Sequence, residues 1–207
     1  MTRQIRWAIG GALLLVLAGC SSDDEPHVVE TTFATEPAIT APPTASAEEQ
    51  AKEEILATFE SLIAARDDYY ANASDYTVDE LSENSPILDW PMTGQAEGEL
   101  FNWATTWRTG EVETVGKTDI IEHDVSEVRL NLTGRGIHEA VSRACLDMTG
   151  LDFRTYNGKP AELPYEPTRY QQWDMTWIYE PEAVQEAGVD EPGWYMKTIN
   201  LAVNKPC

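Results

Sequence analysis

The chain has 207 residues, 36 of them Asp or Glu against 14 Lys or Arg, for a formal charge of −22. That length suits one domain of about 100–200 residues, and 42% hydrophobic residues exclude wholesale disorder. No run of 18 apolar residues is present to span a bilayer, and so acidic a chain is a poor partner for nucleic acid, whose phosphates are met by Lys and Arg.

Residues 1–19 read as a leader. Arg3 and Arg6 make it basic, and Trp7 to Ala18 form an apolar core too short to cross a membrane. Leu17-Ala18-Gly19-Cys20 then resembles a bacterial lipobox. The resemblance implies cleavage before Cys20, a diacylglyceryl group on its sulfur, and further acylation such as palmitate. The chain would then be held on the extracytoplasmic face of the cell membrane, since two or more acyl chains anchor stably where one does not. The competing reading of Cys20 is a buried cysteine in an apolar helix. Loss of Arg3 and Arg6 with the leader leaves a still more acidic chain, repelled by anionic headgroups.

Residues 20–45 shift in composition. From Ser21 to Ala45 there is no Lys or Arg, and Pro26, Pro37, Pro42 and Pro43 stand among threonines. Such a segment cannot bury enough apolar surface to offset its ordering entropy, so a disordered stalk with a reach of roughly 25–30 Å is expected.

A single folded domain is expected over 46–207. Ser46-Ala47-Glu48-Glu49 is a capping box. After it, Ala51, Ile55, Phe59, Leu62 and Ile63 recur at helical spacing, which predicts an amphipathic helix to Tyr69 or Tyr70. Thr77 to Glu80 resembles a second capping box, and Asn84 to Gly94, with two prolines, reads as loop. Gln95 to Arg108 carries Leu100, Trp103, Ala104 and Trp107 on one helical stripe, ended by Thr109-Gly110.

Beyond Gly116 the period changes to two. Val128, Leu130 and Leu132 alternate with polar residues, and Gly134 to Gly136 turns the chain. A strand from His138 to Met148 follows, with Ala140, Ala144, Leu146 and Met148 on one face and Val141, Arg143 and Cys145 on the other. Trp173, Met175, Trp177 and Tyr179 alternate in the next, and Tyr195, Ile199, Leu201 and Val203 in the last. Helices first and antiparallel strands afterwards predict an α+β fold, with a long N-terminal helix and short helices packed on a curved antiparallel sheet of four to six strands.

This order, with Arg143 to Gly150 around Cys145-x-Asp147, then Gly158-Lys159 and a terminal Cys207, resembles the nuclear-transport-factor-2-like cone domain of lipobox-bearing actinobacterial proteins. The likeness spans roughly Ser46 to Cys207 and departs in a longer hairpin over Glu180 to Pro192. It implies a cone fold, which hosts enzymes as well as plain binding and assembly modules. With Cys20 lipidated, Cys145 and Cys207 remain as the one intrachain disulfide, closing a loop of roughly 62 residues for about 4 kcal/mol at most. Two unpaired, buried thiols are the alternative.

Convergent chemistry is sparse. His138-Glu139 lacks the second histidine of a zinc-protease helix, and no calcium loop, Gly-rich phosphate loop or nucleophile elbow is present, so no metal or cofactor is expected. His123 and Asp147 are the two candidate bases. Against the first, Asp124 beside it would point to the opposite sheet face, and a surface histidine is the plainer reading; against the second, Asp147 suits an Asx cap on Thr149-Gly150. Trp103, Trp107, Trp173, Trp177 and Tyr195 either line an aromatic pocket or fill the core. The expected function is therefore a membrane-anchored, non-catalytic domain that binds a small ligand or an envelope protein. An extracytoplasmic enzyme with an Asp or His base, and an assembly or envelope-stress component, are the alternatives.

Overall fold

The computed structural model describes residues 45–76, 85–131, 137–163, 166–182 and 191–203. The leader, the stalk, the Thr77 capping box, Leu132, the Gly134–Gly136 turn and Cys207 lie outside them.

Helix α1, Ala47–Ala71, starts where its sequence dictates. The Ser46 amide donates to Glu49 Oε2 (2.7 Å) and the Glu49 amide donates to Ser46 Oγ (3.2 Å), which satisfies two orphan donors reciprocally. The Ser46 bonds also hold the Glu49 carboxyl below its ordinary pKa. Its buried stripe is the expected one, extended by Arg66, Tyr69 and Tyr70. After short 3-10 turns at Ala73–Asp75 and Pro86–Asp89, the latter inside the expected loop, helix α2 covers Gly94–Thr109. Among the described residues no helix is long and apolar enough to cross a membrane.

The strands are β1 Val112–Val115, β2 Asp119–Arg129, β3 His138–Asp147, β4 Asp152–Thr155, β5 Tyr170–Glu180 and β6 Gly193–Val203. All pairings between these strands are antiparallel: β2-β3-β5-β6 form the main sheet, and β1-β4 a small second one. The fold is thus α+β, consistent with a cone-like arrangement. Strands β1 and β4 were not legible, since four residues give too short a run for a period-two pattern.

Register breaks bend the long strands. Two interrupt β2, between Ile120 and Glu122 and between Val125 and Glu127. A third lies in β6, where Trp177 pairs with Met196 but Thr176 pairs with Thr198. It places Trp194, Met196 and Ile199 together in the core. Strict alternation had grouped Tyr195 with Ile199; the extra residue, Lys197, reverses the parity and turns Tyr195 outward, where its hydroxyl donates to the Glu191 carbonyl (2.8 Å).

The core lies between α1, α2 and one face of the main sheet. Trp173 and Trp177, expected as possible pocket lining, are fully buried there and meet Phe59 of α1 edge-on at 5.7 and 6.5 Å. Trp103 packs on this core as well, edge-on to Trp173 at 6.1 Å. Large rings between a twisted sheet and a long helix fill the space that would otherwise have been a cavity.

Segment 91–95 covers the outer edge of β6 at Met196 and Ile199. The Met196 amide donates to the Pro91 carbonyl (3.0 Å), and the Thr93 amide donates to the Met196 carbonyl (2.9 Å). The Gln95 side chain then pairs with Ile199 as a strand would. Its Nε2 donates to the Ile199 carbonyl (3.1 Å), and its Oε1 accepts from the Ile199 amide (2.7 Å).

Candidate functional site

The chemistry-bearing residues divide into two buried networks and one open cleft. In the first network, Arg66 lies on the buried stripe of α1 at 4% exposure. Its Nη2 donates to Thr118 Oγ1 (2.7 Å) and reaches Asp67 Oδ1 at 3.2 Å, and its guanidinium lies 5.5 Å from the centre of the Trp173 ring. Asp67 also accepts from the Thr118 amide (2.6 Å) and hydroxyl (2.9 Å). A buried charge must be paired to persist, and Nη2 supplies the pairing while Nε is buried with no hydrogen bond among the described residues; the set ties α1 to the chain entering β2. The signal for Arg66 was its helical phase, in step with Leu62 and Tyr69.

The second network contains His123. Its ring packs on Phe59 with centroids 4.4 Å apart, and Nε2 lies 3.0 Å from Ser142 Oγ. The Trp177 indole, which can only donate, gives its proton to the same oxygen at 2.8 Å. The Ser142 proton then serves Nε2 of a neutral imidazole. Nδ1 is buried and meets no partner among the described residues. A Ser–His contact is therefore present without the two things a nucleophile needs: Ser142 is 1% exposed, and among the described residues no carboxylate orients the ring. His123 is no surface histidine beside a loop. It fills a gap between helix and sheet.

Burial pushes the His123 pKa down to about 4, against a smaller opposing pull from Asp124. The unfolded chain takes up this proton near 6.5 and the folded chain only near 4, so this contribution is complete above pH 6.5 and is lost as pH falls through that window. The loss should amount to about 1–2 kcal/mol once partial exposure of the ring is allowed for. Urea titrations at pH 7.5, 6, 5 and 4 should show a smaller decline for His123→Phe than for the parent chain. Parallel declines would mean that the ring is protonated freely in the fold.

Asp147 is on the opposite sheet face, by alternation along β3. Its Oδ1 accepts from the Thr149 amide (2.8 Å), and the bonds from Thr149 hold the carboxyl below its ordinary pKa. That is the Asx cap, an exposed ionised group rather than a desolvated base. Cys145 is buried and disulfide-bonded.

The open cleft lies where the C-terminal end of α2 meets the small β1-β4 sheet, residues 162–163 and residues 167–171. It has a volume of about 440 Å³. Trp107 is the one aromatic candidate of the five that borders it, and Phe153 of β4 stacks on that indole with centroids 5.4 Å apart and planes within 10°. Val112, Met148 and Leu163 extend the apolar wall. The main sheet contributes Gln171, at the start of β5. Val112 and Phe153 come from strands too short to announce themselves, so they carried no sequence signal. Among the described residues no group of three or more metal-ligating side chains occurs.

No family model and no curated protein matches the chain. Among solved structures it is similar to the intermembrane space region of the chloroplast protein ARC6, at 10% identity and a TM-score of 0.37, covering 78% of this chain and 100% of that one. A likeness that distant transfers nothing to this chain.

Proposed function

We propose that the chain is a lipid-anchored, extracytoplasmic binding protein whose domain of nuclear-transport-factor-2-like type takes up a small ligand without transforming it. The anchor motif carries the reading: Leu17-Ala18-Gly19-Cys20 stands directly behind a basic, apolar leader and ahead of a Pro- and Thr-rich stalk. A disulfide-bonded Cys145, with Cys207 as its proposed partner, suits an oxidising compartment. The cleft at Trp107 gives the binding half a place, with a volume in the range of small-molecule sites. Neither Asp147 nor His123 borders that cleft, so an enzyme built on either base has no support from their surroundings.

Membrane fractionation tests the anchor. The parent chain should sediment with membranes and incorporate a clickable palmitate analogue, whereas Cys20→Ala should lose both, because no other part of the chain is expected to hold a bilayer. Retention of Cys20→Ala on washed membranes would overturn the lipid reading.

A further inference from the structure

The cleft at the end of α2 also specifies the kind of molecule it admits, an inference that rests on the binding reading above. Its wall is preformed: Trp107 and Phe153 are already stacked, and both remain half-buried rather than sealed into the core. A ring or alkyl group entering beside them displaces water from apolar surface without reordering the rings.

Three of the polar side chains around this wall, Gln171, Thr106 and Thr109, have fixed roles. Gln171 Oε1 accepts the Trp173 indole proton at 3.0 Å, which orients the amide and leaves its NH2 as the donor. The Thr106 and Thr109 hydroxyls donate to the carbonyls of Asn102 (2.9 Å) and Thr106 (2.8 Å), so each keeps only acceptor capacity. Among the described lining residues Glu162 is the one with a charge, and none of them is Lys, Arg or His. An anion would be desolvated beside a carboxylate in a strongly acidic protein.

We infer that the cleft binds a small ring-bearing apolar molecule, uncharged or cationic, whose hydrogen-bond acceptor meets the Gln171 amide, and that it discriminates against anions. The chain bears six tryptophans besides Trp107, so a site-resolved readout is needed. The full chain, labelled with 5-fluorotryptophan and held in lipid nanodiscs, supplies one by fluorine NMR, with Trp107 assigned by the peak lost in Trp107→Phe. The probes are 2-acetylnaphthalene, naphthalene and 2-naphthoate.

The neutral ketone should shift the Trp107 resonance saturably, with 2-naphthoate at least about tenfold weaker. Phe153→Ala should weaken both neutral probes by about tenfold. Gln171→Leu should weaken the ketone by about five- to tenfold and leave naphthalene unchanged. Glu162→Gln should narrow the gap between ketone and naphthoate. If no probe moves the Trp107 resonance, the small-ligand reading itself fails. If all three bind alike, or Gln171→Leu affects ketone and naphthalene equally, small-molecule binding survives and the assigned ligand class is wrong.

Discussion

Trp173→Ala should destabilise the fold by about 3–5 kcal/mol, a large part of the roughly 5–15 kcal/mol that a domain commonly has. The indole is fully buried and is packed by both helices: Phe59 from α1 meets it edge-on, Trp103 from α2 does the same, and the buried Arg66 guanidinium of α1 lies over it. Truncation would leave a cavity in the middle of the core and remove the aromatic cover of a charge that has little access to water. For a domain of this size the thermal midpoint should fall by about 10–15 °C. Trp173→Phe separates packing from hydrogen bonding, since it keeps a ring and loses the proton given to Gln171; about 1–2 kcal/mol is expected. Chemical denaturation measures both. A cost below about 1 kcal/mol for Trp173→Ala would mean that the space between helix and sheet is not closely packed.

Gly116→Ala should be nearly as damaging, at about 3 kcal/mol or more, for a backbone reason. Gly116 has φ +117°, a conformation L side chains rarely adopt, and a Cβ there would stand 2.2 Å from the Gly150 carbonyl oxygen. Both sides of that contact are main chain, so no rotamer change relieves it. The corner between β1 and β2 would have to part from the turn between β3 and β4. Two residues later, Thr118 holds Asp67 and Arg66, so the displacement would reach the buried ion pair. Gly98→Ala is the matched control. It lies within α2 with nothing within 4 Å of the added methyl, and it should stabilise by about 0.5–1 kcal/mol. Equal and small effects at the two positions would show that the two corners are not in contact.

Much of the fold was legible because it follows from periodicity. The Ser46 box, the stripe from Ala51 to Tyr70 and the alternation in β3 and β5 each name a buried face without reference to the rest of the chain. Features that depend on long-range geometry escaped. The bulge at Lys197 leaves no local trace, and it decides which face Tyr195 occupies. Strands β1 and β4 exist because they pair with each other across 40 residues, not because four residues prefer that state. The cleft inherits this illegibility: Trp107 was visible on its helical stripe, whereas Phe153 and Gln171 become neighbours of it only once the strands have paired. His123 was misjudged for a related reason. A polar residue in an alternating run reads as exposed until Phe59 and Ser142 are seen to enclose it.

The covered stretch of the β6 edge has a consequence for how copies of this domain can meet. Edge-to-edge addition of sheets propagates without limit only when a molecule offers two free edges, one to accept and one to extend. Here Pro91, Thr93 and Gln95 occupy the outer edge of β6 at Met196 and Ile199, whereas among the described residues the β2 edge of the main sheet carries no such cover. Contact through the main sheet is therefore easier as a two-fold pair, β2 against β2, than as growth into a filament. That pair would bring Asp119, Glu122, Asp124 and Glu127 against their own duplicates, across a strand already interrupted by two bulges.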